Sequence, residues 1–365
     1  MTGPMINGLD RRRFLRGGAA LGAGIALVGC TSNEPAAEPV DTDTAGAAGG
    51  AASPAAGGGG ASEQQGPPVT IGFTAPAADH GWIAAVTKNA QDEAAKYPEV
   101  TLNATEGTND VNQQISQVQA FIDQGVDVLA ILPFDGKALT NIAIQAMEAG
   151  IPVVNIDRIF DSPRAYRTWI GGDNYGMGLN AGTYIARRLQ EEGIENPTII
   201  EVAGIDSLPL TQERSQGFAD ALQAAGLSVT DRQAAEFTVE SGQEVMTNLL
   251  QANQQIDAVW NHDDDQGIGV LAAIDQAGRG DEFFMVGGAG ALSAMEAIKA
   301  GNTPLEATVL YNPSMSASGI ALARLIGQQR GMTELVEVEV PASITTFSAV
   351  VTAENVDQYM QFGFS

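Results

Sequence analysis

The sequence predicts an α/β protein built from two doubly wound, parallel-sheet lobes. Three observations carry this. Short, continuous apolar runs read as strands buried on both faces. Segments of helical periodicity fill the stretches between them. The alternation then starts afresh near residue 175, giving about ten strands in all, more than one small domain accommodates.

The first series runs strand 69–74, helix 82–97, strand 100–105, helix 111–124, strand 128–132, helix 138–149 and strand 153–156. A run such as Val128-Leu129-Ala130-Ile131-Leu132 is too short for a helix and too apolar for a half-exposed strand. The second series places helices at 175–192, 211–225, 242–252, 266–277 and 291–300. Strands fall at 198–202, 258–260 and 284–286.

Ligands of such sheets bind beyond the carboxyl ends of the strands. The informative residues are therefore those just after each strand. They are Asp79-His80-Gly81-Trp82, Pro133-Phe134-Asp135-Gly136, Asp157-Arg158, Glu213-Arg214 behind a polar loop, and Asn261-His262-Asp263-Asp264-Asp265-Gln266. Carboxylates, Arg and an aromatic plate are the natural partners of a sugar, which offers hydroxyls and apolar C–H faces. Asp157 and Arg158 together supply acceptors and a rigid fork of donors; a structural ion pair at a strand end is the other reading of the same dipeptide. Trp82 reads as a stacking plate or as core, and Arg214 as a ligand fork or a solvated helix residue. The acids 263–265 read as a calcium loop, a ligand site or a helix start. The EF-hand pattern fails for them, since Ile274 stands where its twelfth-position Glu belongs.

The N-terminus reads as an address. Asp10-Arg11-Arg12-Arg13-Phe14-Leu15-Arg16 precedes an apolar run at 17–29, too short to span a bilayer. Its arginine pair resembles a twin-arginine export signal, and Leu27-Val28-Gly29-Cys30 resembles a bacterial lipobox, which makes Cys30 a lipidation site. Residues 31–66 hold no Lys or Arg and include Gly57-Gly58-Gly59-Gly60. They form a flexible tether with a span of roughly 30–36 Å.

Composition sets the remaining bounds. Of 365 residues, 44% are apolar and 17% charged, which fits a globular protein. The net charge of −26 becomes −29 once residues 1–29, with four Arg and one Asp, are removed. Such a surface repels phosphate backbones, so nucleic acid is excluded as a partner. The single Cys and the two distant histidines, His80 and His262, offer no metal cluster. No Gly-x-Ser-x-Gly, Walker A, His-Glu-x-x-His or Gly-x-Gly-x-x-Gly motif occurs. The expectation is a chain that is not an enzyme and takes no cofactor.

Taken in order, these motifs resemble the ribose-binding protein group of periplasmic solute receptors. The likeness covers residues 69 to about 355. It rests on Ile151-Pro152-Val153-Val154-Asn155-Ile156-Asp157-Arg158, on Gly172-Asp173-Asn174-Tyr175, on Glu213-Arg214-Ser215-Gln216-Gly217-Phe218 and on Asp263-Asp264. The resemblance implies a type I periplasmic binding protein with two lobes, 69–171 plus 312–343 and 172–311 plus 344–365, joined by three crossings near Gly171, Tyr311 and Ser343. It implies a cleft lined by Trp82, Asp157, Arg158, Arg214, Asp263 and Tyr311, with His80 and Asp135 beside them. The expected role is capture of a small sugar or polyol by a lipid-anchored monomer at the outer face of the cell membrane, for delivery to an ABC permease. A sensor subunit for a membrane kinase and a sugar-processing enzyme are the alternatives. The chain departs from the group in three places. Asp263-Asp264 stands for Asn-Asp, Ala289 for a cleft carboxylate and Tyr311 for Gln. These departures point to a sugar, polyol or cyclitol other than ribose.

Overall fold

The computed structural model describes residues 66–332 and 339–365. The expected export signal, Cys30 and all of the tether but Gly66 lie outside the described residues. The elements of the first half are β1 (Val69–Thr74), α1 (Gly81–Ala94), β2 (Val100–Ala104), α2 (Val111–Gln124), β3 (Val128–Ile131), α3 (Gly136–Glu148), β4 (Val153–Ile156) and β5 (Thr168–Gly172). The second half holds α4 (Asn174–Glu192), β6 (Ile199–Ala203), α5 (Pro209–Ala224), β7 (Asp231–Ala234), α6 (Val239–Ala252), β8 (Ala258–Asn261), α7 (Asp264–Ala277), β9 (Phe284–Ala289), α8 (Leu292–Ala300) and β10 (Leu305–Leu310). The chain ends with α9 (Met315–Gly327), β11 (Ser343–Thr346), β12 (Val350–Thr352) and α10 (Val356–Tyr359).

Two six-stranded sheets result, in the orders β11-β5-β4-β3-β1-β2 and β12-β10-β9-β8-β6-β7. The second order repeats the first, so the two lobes share one topology. Among the described residues all pairings are parallel except β12 against β10, an antiparallel edge. Every residue of β3, β4 and β8 is buried, as expected of strands covered by helices on both faces. Local chemistry sets the helix ends. Asp110 caps α2 by accepting from Asn112 N–H and Gln113 N–H, and Gly125 closes it at φ 66°.

Among the described residues the chain passes between sheets three times: after β5, between β10 and α9, and between β11 and β12. β11 pairs with β5 as far as Thr346. The last crossing therefore lies beyond Thr346 rather than near Ser343, and residues 344–346 belong with the first sheet. Gly172 likewise still pairs in the first sheet.

In the second lobe α4 and α5 meet along glycines. A Cβ on Gly178 would lie 1.9 Å from the Arg214 carbonyl oxygen, and one on Gly217 would lie 2.1 Å from that of Tyr175. Both obstacles are backbone, so a side chain there forces the helices apart. Gly178→Ala is expected to destabilise the protein by about 1–3 kcal/mol, read as a lower urea midpoint with an unchanged slope.

Candidate functional site

In each lobe the strand order reverses direction next to the first strand of the series, between β1 and β3 in one sheet and between β6 and β8 in the other. A crevice opens beyond the strand ends at such a switch point. The loops after β1 and β4 therefore face those after β6 and β8. Between them lies a small cavity of about 30 Å3. Its lining is His80, Trp82, Asp157 and Arg158 from the first lobe, Leu210, Arg214, Phe237, Asp263 and Ala289 from the second, and Tyr311 at a crossing.

Seven of the eight residues expected in a cleft thus share one hollow. The eighth, Asp135, does not line it. Its Oδ1 accepts from Ala138 N–H and caps α3, and it borders an adjoining hollow. Leu210 and Phe237 in the wall, and Asn174 behind it, are additions that the sequence reading does not contain. Phe237 comes after β7, a strand the sequence pattern does not reveal. Asn174 stands in the Gly172-Asp173-Asn174-Tyr175 motif, which by itself assigns its side chain no role.

The polar groups are held firmly and left partly unsatisfied. Tyr311 O–H donates to Asp157 Oδ1 at 2.5 Å, and Asn174 Nδ2 donates to the Tyr311 oxygen at 3.2 Å. Gly172 makes room for this ring, since a Cβ there would come within 2.1 Å of it. Arg214 lies over the Tyr311 ring at 4.6 Å. Its Nε donates to Asn174 Oδ1 and its Nη1 to the His262 carbonyl, each at 3.0 Å. Arg158 Nη1 donates to the Phe134 carbonyl at 2.7 Å, while its buried Nε has no hydrogen-bond partner among the described residues. Asp263 Oδ1 caps α7 by accepting from Asp265 N–H and Gln266 N–H. The run 263–265 is therefore a helix start, and Asp263 Oδ2 carries no hydrogen bond among the described residues. Asp157 and Arg158 form no ion pair with each other among those residues.

Burial dominates the electrostatics. It pushes the Asp157 carboxyl up, against the pull of Tyr311, Arg158 and Arg214. It raises Asp263 well above its ordinary value, helped by the negative charge of Asp265 and Asp264. It lowers Arg158 and raises Tyr311, the latter helped by Asp157. Each charged group has lost water that a hydroxyl-bearing guest would replace. Behind Arg214, His262 is buried and its pKa is lowered by desolvation. Its Nε2 meets Glu201 Oε1 at 2.9 Å, which fixes the residue whose carbonyl accepts from Arg214.

Backbone strain gathers at the same place. Among the described residues four non-glycines have left-handed φ, and three of them, Asp157 (59°), Phe237 (64°) and Ala289 (87°), line the cavity. Strain of this kind persists where the surroundings over-determine a functional geometry.

One further bond joins the lobes. Asp265 Oδ2, in the first turn of α7, accepts from Trp82 N–H at the start of α1, at 2.9 Å. α1 has no side-chain cap of its own, so its cap comes from the opposite lobe. Gly81 permits the approach, because a Cβ there would lie 2.7 Å from Asp265 Oδ1. A capping bond contributes about 0.5–2 kcal/mol, and this one exists only with the lobes together. Asp265→Ala is expected to weaken ligand binding by about three- to tenfold, since only differential stabilisation shifts such a balance. Calorimetric titration checks it; an unchanged affinity would show that the bond contributes nothing to the lobe-together state.

Two similar α/β lobes with a polar hollow between their switch points define a two-lobed binding protein. The chain belongs to the periplasmic binding protein domain family, whose model matches residues 71–329. It is 31% identical over 246 residues to the ribose import binding protein of Bacillus subtilis, covering 67% of this chain and 77% of that protein. It superimposes with a TM-score of 0.72 and 27% identity on a Mycobacterium smegmatis protein solved with β-D-fucofuranose, covering 80% of this chain and 94% of the other. An ABC transporter solute-binding protein from Bacillus halodurans with bound myo-inositol gives a TM-score of 0.71 at 25% identity, over 82% of this chain and 99% of the other.

Proposed function

We propose that this chain is an extracytoplasmic solute-binding lipoprotein that closes on a small sugar, polyol or cyclitol and delivers it to an ABC importer. The observation that carries the reading is the cavity itself. Carboxylates and guanidinium groups from both lobes, with Trp82, Phe237 and Tyr311, meet around one space and offer the partners a hydroxylated ring needs. The relatives support the ligand class, being an import protein for ribose and proteins solved with a furanose and a cyclitol. Ala289 and Tyr311 redirect specificity away from ribose, and Asp263 replaces the missing acid. Guest hydroxyls satisfy groups on one lobe first and then recruit the other, so ligand favours closure.

A thermal-shift panel of pentoses, hexoses, polyols and inositols tests the reading. A true ligand at a hundred times its dissociation constant adds about 2.7 kcal/mol of stability. A panel without any stabilising compound would sink it. Anchorage through Cys30 is part of the same proposal, because acyl chains on that thiol hold the protein at a surface its own charge avoids. Cys30→Ser is expected to move the protein from the membrane pellet to the soluble fraction; retention in the pellet would refute the anchor.

A further inference from the structure

The inner cavity borders a second hollow of about 200 Å3, and the two share Asp157, Arg158 and Leu210 as wall. This outer hollow is more than twice as large as the inner one. Both lobes build it: Lys137, Ile159 and Trp169 on one side, Ser207, Pro209 and Glu213 on the other. A single hydroxylated ring seated among Asp157, Asp263 and Arg214 would leave all of this surface unused.

The lining is specific. Trp169 is pinned, with its Nε1 donating to the Asp157 carbonyl at 2.8 Å. Its ring lies against Gly171, where a Cβ would come within 2.2 Å of it. A half-buried indole fixed at one edge is a platform for the C–H face of a sugar ring. Lys137 and Glu213 make no ion pair and no side-chain hydrogen bond among the described residues, and they bring a donor and an acceptor from opposite lobes. Asp135, Asp157, Asp161 and Glu213 outnumber Lys137 and Arg158 there, so an anionic group is repelled and a neutral hydroxylated one is admitted.

We propose that the ligand is a neutral glycoside of two units. One ring fills the inner cavity, and the second, joined to it by a glycosidic bond, stacks on Trp169 in the outer hollow. This rests on the sugar-binding reading above and adds the class of compound. Isothermal titration of the purified protein tests it, with D-ribose, L-arabinose, D-galactose, D-glucose and myo-inositol set beside arabinobiose, melibiose and galactinol. At least one two-unit compound is expected to bind ten times or more tighter than either of its units. Ser207→Trp fills the outer hollow from an exposed loop. It should abolish that gain and leave the affinity for the single unit unchanged, and Trp169→Ala should abolish the gain as well. Single units that bind as tightly as every two-unit compound would overturn the proposal and leave the sugar-binding reading standing. So would a gain that survives Ser207→Trp. Failure of every compound, single or joined, would overturn both.

Discussion

Arg158→Ala is expected to weaken binding of the tightest compound in the sugar panel by about 100- to 1,000-fold, while the unliganded protein keeps its stability or gains some. The two halves of this result share one cause. Arg158 is buried at the end of β4, with Nη1 on the Phe134 carbonyl at 2.7 Å and its plane over the Phe134 ring at 5.7 Å. Its Nε is buried without a partner among the described residues, and burial lowers its pKa. In the free protein this is an unfavourable arrangement, since a desolvated donor with no acceptor destabilises the fold. Ligand hydroxyls would supply the acceptors. A charge-assisted hydrogen bond contributes about 1.5–3 kcal/mol; losing two near the lower end of that range, about 3–4 kcal/mol in all, gives the stated range. Arg158→Lys should recover little, because an ammonium on a flexible stem cannot reproduce the planar fork. Titration calorimetry reads the affinity and urea unfolding reads the free protein. An affinity within threefold of wild type would remove this cavity as the ligand site.

The placement of that arginine is legible in the sequence, and the reason is physical. Strands buried on both faces must be apolar throughout, so 69–74 and 153–156 stand out as runs and coincide with β1 and β4. The residues after such a run lie at a strand end, which brings Trp82, Asp157, Arg158 and Asp263 into view together. The helix 111–124 is equally plain, because its apolar period lies between a capping Asp110 and a closing Gly125. The limits are just as physical. β7 reads Asp231-Arg232-Gln233-Ala234 at the edge of its sheet and is not fully buried, so no apolar run marks it. Without a recognisable strand there is no strand end to inspect, and Phe237 escapes the sequence reading. Asp135 shows a different limit, since it borders the outer hollow and not the inner cavity. It lies after a strand like the others, but its carboxylate is turned to the N-terminus of its own helix. Position after a strand does not separate a cap from a ligand group, since both use the same residue types.

Asp264 marks the far end of that limit, and Asp264→Ala is expected to destabilise the protein by about 3–5 kcal/mol. In sequence it is the middle acid of three at a helix start. In the fold its Oδ1 accepts from Gly288 N–H at 2.9 Å, and its Oδ2 accepts from Gly290 N–H at 2.8 Å and Ala291 N–H at 2.9 Å. Thr308 O–H donates to the same carboxylate at 2.8 Å. One buried side chain therefore satisfies three backbone donors at the end of β9 and in the turn after it, residues more than twenty positions away. Removing it strands those donors at about 1–3 kcal/mol each, partly relieved if water enters. Asp264→Asn should fare little better, because its amide NH2 would face N–H groups that need an acceptor. The turn also carries Ala289 at φ 87° into the cavity wall, so ligand affinity should fall along with stability. Burial raises the Asp264 pKa from 3.8 to about 7. The folded state then holds a proton in that range that the unfolded chain has released, so the proton-linked part of this group's contribution is fully present below pH 3.8 and is lost as pH rises through about 7. The gap between wild type and Asp264→Ala in urea unfolding should accordingly be wider at about pH 5 than at about pH 8. A variant that unfolds within about 1 kcal/mol of wild type at both pH values would mean that the turn holds its shape without the carboxylate.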